Sequence, residues 1–344
     1  MYFVVTARTL ERYSQGIAPP FGYYEPIRIE AGEKEDGWRL SKLLERRLGV
    51  SRKLLSRLKL TEQGLMINGV RAYSGDPVSS GDIAEIRMEQ ERSEDILPQD
   101  LPLEIVYEDK WVLLASKPAG MVVHPTHGHY TNTLANAAVH HWQQAGENVR
   151  FRPVHRLDED TSGLVLLAKN PYVHQQLSEQ HGDGRIRKQY AAYTYGVPEI
   201  PAARIDAPID RDPDSPHHRI VTPSGYASAT RYETLAVYGG RASKVRLRLE
   251  TGRTHQIRVH MGWIGCPLIG DLMYGPAAAG AGVGSWEEAA GRQALHAEML
   301  SFEHPMTGEE MTFTAPLPPD LERLERLLQQ DSIQGHDEGE GRTR

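Results

Sequence analysis

The sequence predicts an α+β protein, and three observations lead there. Leu164 to Ala168 is an unbroken apolar run, the pattern of a strand buried on both faces. Beyond Leu103, segments with strand-like alternation follow one another with only a few helices between them. No regular βαβ alternation of the kind that builds a doubly wound parallel sheet is visible. The chain has 344 residues, 39% hydrophobic and 25% charged, enough for one large domain and a small one.

Taken in order, residues 1–34 read as an N-terminal extension: a short strand at Tyr2–Thr6, then a loop broken by Gly and Pro. Residues 36–90 read as a separate small domain. Leu40, Leu43, Leu44 and Leu48 have helical spacing, and Gly49 ends that helix. Ser51 can cap a second helix carrying Leu54, Leu55 and Leu58. Leu65–Ile67 is a strand, Asn68-Gly69 a tight-turn signal, and Ile83–Ile86 a closing strand. Glu89 to Pro102 is charged and contains Pro, with the linker proper at 91–100; it should let the small domain move. Residues 101–328 form the large domain. Leu103–Tyr107 and Trp111–Ala115 make a hairpin, and Thr133–Trp142 a helix. Asn170 caps, and Pro171 opens, a helix to about Glu179. Lys188–Val197, Ala227–Val237 and Ser243–Thr251 are strands. His255–Gly262 is a short helix, Glu298–Phe302 and Met311–Thr314 close the sheet, and Pro319–Leu328 is the last helix. The tail, 329–344, reads as disordered.

The formal net charge of −7 hides a segregated distribution. Eight bases (Arg39, Lys42, Arg46, Arg47, Arg52, Lys53, Arg57, Lys59) and one acid, Glu45, lie between Trp38 and Lys59. Arg241 to Arg258 holds six more bases against Glu250. A protein acidic overall can still offer such faces to phosphate. The single cysteine, Cys266, excludes an intramolecular disulfide and a multi-cysteine zinc site and fits a reducing compartment. The opening MYFVVTARTL is too short an apolar stretch for a signal peptide, and no run approaches a membrane span. The expected location is the cytoplasm.

The densest chemical signal is His155 to Lys169, HRLDEDTSGLVLLAK. It places Asp158 beside Arg156 on a Gly-closed loop held against a rigid strand, a placement that suits a catalytic group. Taken alone, an Asp in such a tripeptide is more often a turn former or an ion-pair partner. The segment resembles the central motif of the RNA pseudouridine synthase family of the RluA type. Further motifs resemble that family in order: Lys117-Pro118-Ala119-Gly120, Val123-His124-Pro125, Lys188-Gln189-Tyr190, Leu249 to His260 (LETGRTHQIRVH), Gly265 to Asp271 and Leu295-His296-Ala297. The resemblance covers about Leu101 to Leu328. Arg39 to Asp82 also resembles the small alpha-L RNA-binding motif.

The resemblance implies a catalytic domain built on a mixed, mainly antiparallel central sheet, and a uridine isomerase that needs no cofactor and no metal. Asp158 would be the catalytic carboxylate, at the ribose of a uridine swung out of its stack. Arg258 would pair with Asp158, keeping it charged and aimed. Tyr190 would stack on the base. Arg156 would fill the gap left by the extruded base, an extrusion that costs a few kcal/mol. His155, Thr161, His255 and Gln256 would belong to the RNA or base-flipping surface, and Arg253 would contact phosphate or serve structure. Asp158 either attacks the anomeric carbon or removes a ribose proton to form a glycal; both routes stay open. The implied partner is structured RNA, ribosomal ahead of transfer RNA, and the enzyme is read as a monomer.

Two rivals differ in class. An RNA-binding assembly factor without catalysis would have lost the Asp158, Tyr190 and Arg258 set. A carboxylate-dependent hydrolase would need a second acid, for which Asp160 is the candidate. His124, His127, His129, His140 and His141 suggest metal, but no thiol or acid cluster follows at zinc-like spacing. The Ala/Gly-rich insert at 276–292 reads as a surface loop rather than a nucleotide-binding one.

Overall fold

In this computed structural model residues 22–126, 128–215, 217–276 and 284–340 are described, with side chains through 333. The strand expected at Tyr2–Thr6, His127, residues 277–283 of the insert and residues 341–344 lie outside them.

The N-terminal unit is an antiparallel sheet ordered β1-β4-β2-β3 with two helices against it. Its strands are β1 (Ile27–Glu30), β2 (Leu65–Ile67), β3 (Val70–Arg71) and β4 (Ile83–Ile86). The helices, α1 (Leu40–Arg47) and α2 (Arg52–Leu58), bury Leu40, Leu43, Leu44, Leu54, Leu55 and Leu58, as their spacing requires. Ser51 Oγ accepts from Leu54 N at 3.2 Å and caps α2. Asn68 and Gly69 both take positive φ, 51° and 77°, the backbone a two-residue hairpin demands. β1 was not expected: it is four residues long, and its alternation is too brief to read.

The large unit is a sheet ordered β5-β6-β7-β14-β8-β13-β12-β9, with β15 beside β14. The strands are β5 (Glu104–Glu108), β6 (Val112–Lys117), β7 (Ser162–Ala168), β8 (Arg187–Tyr195), β9 (Ala202–Asp206), β12 (Ala229–Tyr238), β13 (Ala242–Leu249), β14 (Leu295–Glu303) and β15 (Glu310–Thr314). Every pairing is antiparallel except β7 with β14. The mixed, mainly antiparallel sheet that the resemblance implies is therefore present. All seven residues of β7 are buried, because one face meets the core under α3 (Leu134–Gln144) and the other packs toward α4 (Pro171–Gly182).

Four departures have local causes. β9 and the small hairpin β10 (Ile209–Arg211) with β11 (Arg219–Val221) were not foreseen, being short, polar and interrupted by Pro. The insert carries a helix, α6 (Ser285–Ala290), after α5 (Gln256–Trp263). The final helix, α7, does not end at Leu328 but runs Pro319–Glu340, so the expected disorder from 329 is corrected over those residues. Trp286 Nε1 donates to Asp331 at 2.8 Å, tying the added turns to α6. Finally, the charged stretch after Glu89 is docked rather than loose: Ser93 and Ile96 are buried, and Phe151 N donates to Ser93 Oγ at 2.8 Å. Glu91 accepts from both Arg57 of the small unit and Arg152 of the large one. α4 reaches the small unit too, Tyr172 Oη donating to Leu48 O at 2.8 Å and Gln175 Nε2 to Gly49 O at 2.6 Å.

Candidate active site

Asp158 sits on the turn that enters β7, where Thr161 N donates to Asp158 O at 3.1 Å. The turn is held from three sides. Lys117, at the end of β6, is buried and donates to Pro118 O, Met121 O and Glu159 O at 2.6–2.8 Å. Arg292 donates to Asp160 O at 2.9 Å and Ser162 Oγ at 3.0 Å, and pairs with Asp320 at 2.7 Å. Gly163 has φ +114°, and a Cβ there would lie 2.3 Å from Ala297 O of β14, so only glycine lets the two parallel strands meet. Burial and the neighbouring Arg292 push the Lys117 ammonium down to about 7, against the pull of Asp160, Asp158 and Glu159. Neither Arg292 nor a role for Lys117 was foreseen.

The Asp158 side chain is 29% exposed and opens into a cleft walled by Arg156, Tyr190, Leu249, Arg253, His255 and Arg258, among others. Arg258 Nη1 lies 3.4 Å from Asp158 Oδ2, so the expected pair forms, though at the long end of hydrogen-bond range. The stronger partner of Arg258 is Asp271. Nε and Nη2 donate to its two carboxylate oxygens at 2.7 and 2.8 Å, a bidentate fork inside the protein. Asp271 also accepts from the backbone of Met273 and Tyr274 at 2.9 and 3.0 Å. Burial works against the Arg258 charge, but Asp271 and then Asp158 more than offset it, and the guanidinium is held charged above its ordinary range. Asp271 closes a motif quoted from the sequence, yet no spacing rule marks it as the residue that aims Arg258.

Tyr190 stands on β8 with only 4% of its surface exposed, packed in the core beside Asp158. Burial, and then the Asp158 charge, push its phenol up, so it is a neutral ring at physiological pH. His255 occupies the left-handed turn before α5 (φ 57°), with Nε2 3.9 Å from Asp158 Oδ2 and Nδ1 2.9 Å from Tyr274 Oη. Burial lowers its pKa, against Asp158, so it adds little positive charge beside the carboxylate.

The other expected site residues divide by exposure. Arg156 is exposed at the cleft mouth, and among the described residues it has no ion-pair partner. Arg253 is exposed as well, its Nε 3.3 Å from Ala227 O. Gln256 is buried, and its amide is committed inside the protein: Oε1 accepts from Thr251 Oγ1 and Arg253 N, Nε2 donates to Ala229 O and Thr230 Oγ1. His155 is buried against His181, its Nε2 accepting from Leu166 N at 3.3 Å. Thr161 is buried, its hydroxyl 3.4 Å from Gln293 Nε2. All eight bases from Arg39 to Lys59 are exposed; Arg47 is paired with Glu35 and Arg57 with Glu91. In the histidine-rich stretch, His141 pairs with Glu108 at 2.7 Å and His124 stacks on Phe151. Among the described residues no three His, Cys, Asp or Glu side chains converge as a metal site, and no helix is long and apolar enough to cross a membrane.

A single carboxylate in a basic cleft, backed by a buried tyrosine and a clamped arginine, defines a class that the protein's relatives specify. Residues 111–263 match the family model for RNA pseudouridylate synthase. The uncharacterized RNA pseudouridine synthase YjbO of Bacillus subtilis strain 168 is 40% identical over 278 residues, 80% of this chain and 95% of that one. Ribosomal large subunit pseudouridine synthase D of Escherichia coli K12 is 38% identical over 82% of this chain and 89% of its own. The protein of that name from Pseudomonas aeruginosa is 41% identical over 78% and 84%. Among solved structures, human RNA Pseudouridylate Synthase Domain Containing 1 superposes with a TM-score of 0.52 at 26% identity, over 67% of this chain and 95% of that one. The chain belongs to the RNA pseudouridine synthase family, of the RluA type. It is an isomerase acting on RNA.

Proposed function

We propose that this enzyme converts uridine to pseudouridine in large-subunit ribosomal RNA in the cytoplasm, as a monomer, with Asp158 as the reacting carboxylate and no cofactor. The ribosomal substrate is suggested by the relatives named as large-subunit synthases. The observation that carries the assignment of Asp158 is its position: a partly exposed carboxylate at the base of the cleft, flanked by the Arg258 guanidinium and the Tyr190 ring.

In this reading the extruded uridine lies with its ribose over Asp158 and its base against Tyr190. Arg258, fixed by Asp271, holds the carboxylate in place as charge shifts on the sugar. Through either open route, the bond from the anomeric carbon to uracil N1 breaks, the base turns, and C5 takes its place. The proton on C5 is then lost to water. Arg156, exposed at the mouth, inserts where the base has left the stack. The N-terminal unit serves as an alpha-L RNA-binding module, its exposed bases meeting phosphate.

The test is Asp158→Asn assayed on a large-subunit RNA transcript carrying tritium at uridine C5. Binding within a fewfold of the parent and no tritium release are expected. Normal release would remove Asp158 from the reaction, and free uracil among the products would favour the hydrolase instead.

A further inference from the structure

One feature of the cleft mouth has no part in the chemistry above. Tyr226 is 63% exposed, and the Arg253 guanidinium lies over its ring at 5.4 Å. Arg253 itself walls the Asp158 cleft. The aromatic ring is nevertheless not on a loose loop. Tyr226 N donates to Ile209 O and its O accepts from Ile209 N, both at 3.0 Å, and Ser228 Oγ adds a bond to the same carbonyl at 2.8 Å. Gly225 sits so close to Ile209 that a Cβ would fall 2.7 Å from its carbonyl carbon. Ile209, Ser228 and Gly225 therefore fix the backbone that carries an exposed ring beside the cleft, with the Arg253 guanidinium over it.

An enzyme that swings a nucleotide out of RNA leaves its neighbours without a stacking partner. Exposed aromatic rings and arginine planes are the surfaces on which unpaired bases restack. We propose that Tyr226 and Arg253 form a stacking platform for the unpaired base adjoining the target uridine, and so act as positioning residues for the isomerisation. The platform rests on the RNA reaction proposed above. The pairing of Arg253 with one face of Tyr226 leaves the other face for the base, and the bonds to Ile209 fix the backbone that carries the ring.

Two measurements test this with the full chain and a transcript containing the mapped target. In the first, Tyr226→Ala lowers kcat/KM for tritium release about tenfold, mainly through KM, in the range base stacking on an aromatic is worth. Tyr226→Phe retains the parent rate, since only the ring is used. On RNA made abasic at the correct flanking position, parent and Tyr226→Ala become equal. A penalty that persists on RNAs abasic at either flank would mean a merely structural role and overturn the proposal. In the second, 2-aminopurine replaces the base on each side of the target in turn. At one position its fluorescence is quenched by the parent enzyme and less by Tyr226→Ala. Equal fluorescence with both proteins at both positions would overturn the platform even while tritium release continued. Loss of release by the parent enzyme would instead strike at the reaction itself.

Discussion

The base of the cleft and the basic helices both present arginines to solvent-facing ground, but they are built in opposite ways. Around Asp158 three buried cations are over-determined: Lys117 is tied to three carbonyls, Arg292 to a carboxylate and several backbone oxygens, Arg258 to both oxygens of Asp271. On α1 and α2 the bases are exposed: Arg47 pairs with Glu35 and Arg57 with Glu91, while Arg39, Lys42 and Arg46 have no ion-pair partner among the described residues. The difference suits the two tasks proposed for these regions. Chemistry on a sugar needs charges held to within a fraction of an ångström before the substrate arrives. Gathering a polyanion needs charge density, and movable side chains supply it.

Perturbing each region should break this contrast in a different way. The largest effect is expected at Asp271. Its side chain is wholly buried against Arg258, and leaving a buried charge without its partner costs about 3–5 kcal/mol. Asp271→Ala should lower the unfolding midpoint by roughly 10 °C and reduce tritium release at least about a hundredfold, as expected when a transition-state charge contact is lost. Asp271→Asn, which keeps the shape, should fold better yet remain slow. Activity near that of the parent in the Asn variant would show that Arg258 needs no clamp.

An intermediate effect is expected on the helices. Arg39, Lys42 and Arg46 have no ion-pair partner among the described residues, and replacing all three by Gln should weaken RNA binding. The slope of log affinity against log salt should fall by about 2–3, with kcat at saturating RNA and the unfolding midpoint unchanged. An unaltered salt slope would take these helices out of the RNA contact.

The smallest effect is on stability in mild acid, and it sharpens the contrast by falling on one unit alone. Residues 22–90 contain no histidine, whereas burial lowers the pKa of His155, His181, His260 and His296 in the large unit. Their folded values lie below the unfolded value of about 6.5. As pH falls through that value the unfolded chain takes up protons that the folded one refuses, so stability drops. The loss continues until the folded groups titrate, near 4 for His181. Thermal unfolding should shift down by a few degrees between pH 7.5 and 5.5, and His181→Gln should lessen the shift. A midpoint insensitive to pH over that interval would contradict it.

Much of the candidate site was legible because it is local. His155 to Lys169 is one contiguous stretch, and its glycine, turn and apolar run announce a rigid loop on a buried strand. The helices of the N-terminal unit were legible for a like reason, since leucine spacing reports a face. What stayed hidden depends on residues far apart in the chain. Arg292 reaches Asp160 across 132 positions, and Tyr226 meets Ile209, on a strand of three residues, through an isolated bridge. Gln256 shows the opposite difficulty: it stands in the quoted motif beside exposed residues, and only its hydrogen bonds reveal that its amide serves the fold. The extent of α7 was hidden by composition, because the polar, Gly-containing sequence past Leu328 masks a helix that Trp286 helps to anchor.

α4 has both ends engaged. Its first turns grip Leu48 and Gly49, and at its last turn His181 meets Lys188, two positions from Tyr190. At 1.5 Å per residue, its twelve residues make a strut of about 18 Å. On the proposed reading, handle and blade are thus bolted to one rod, and lengthening or kinking that rod would shift where along a nucleic-acid strand the tool bites without altering either the grip or the edge.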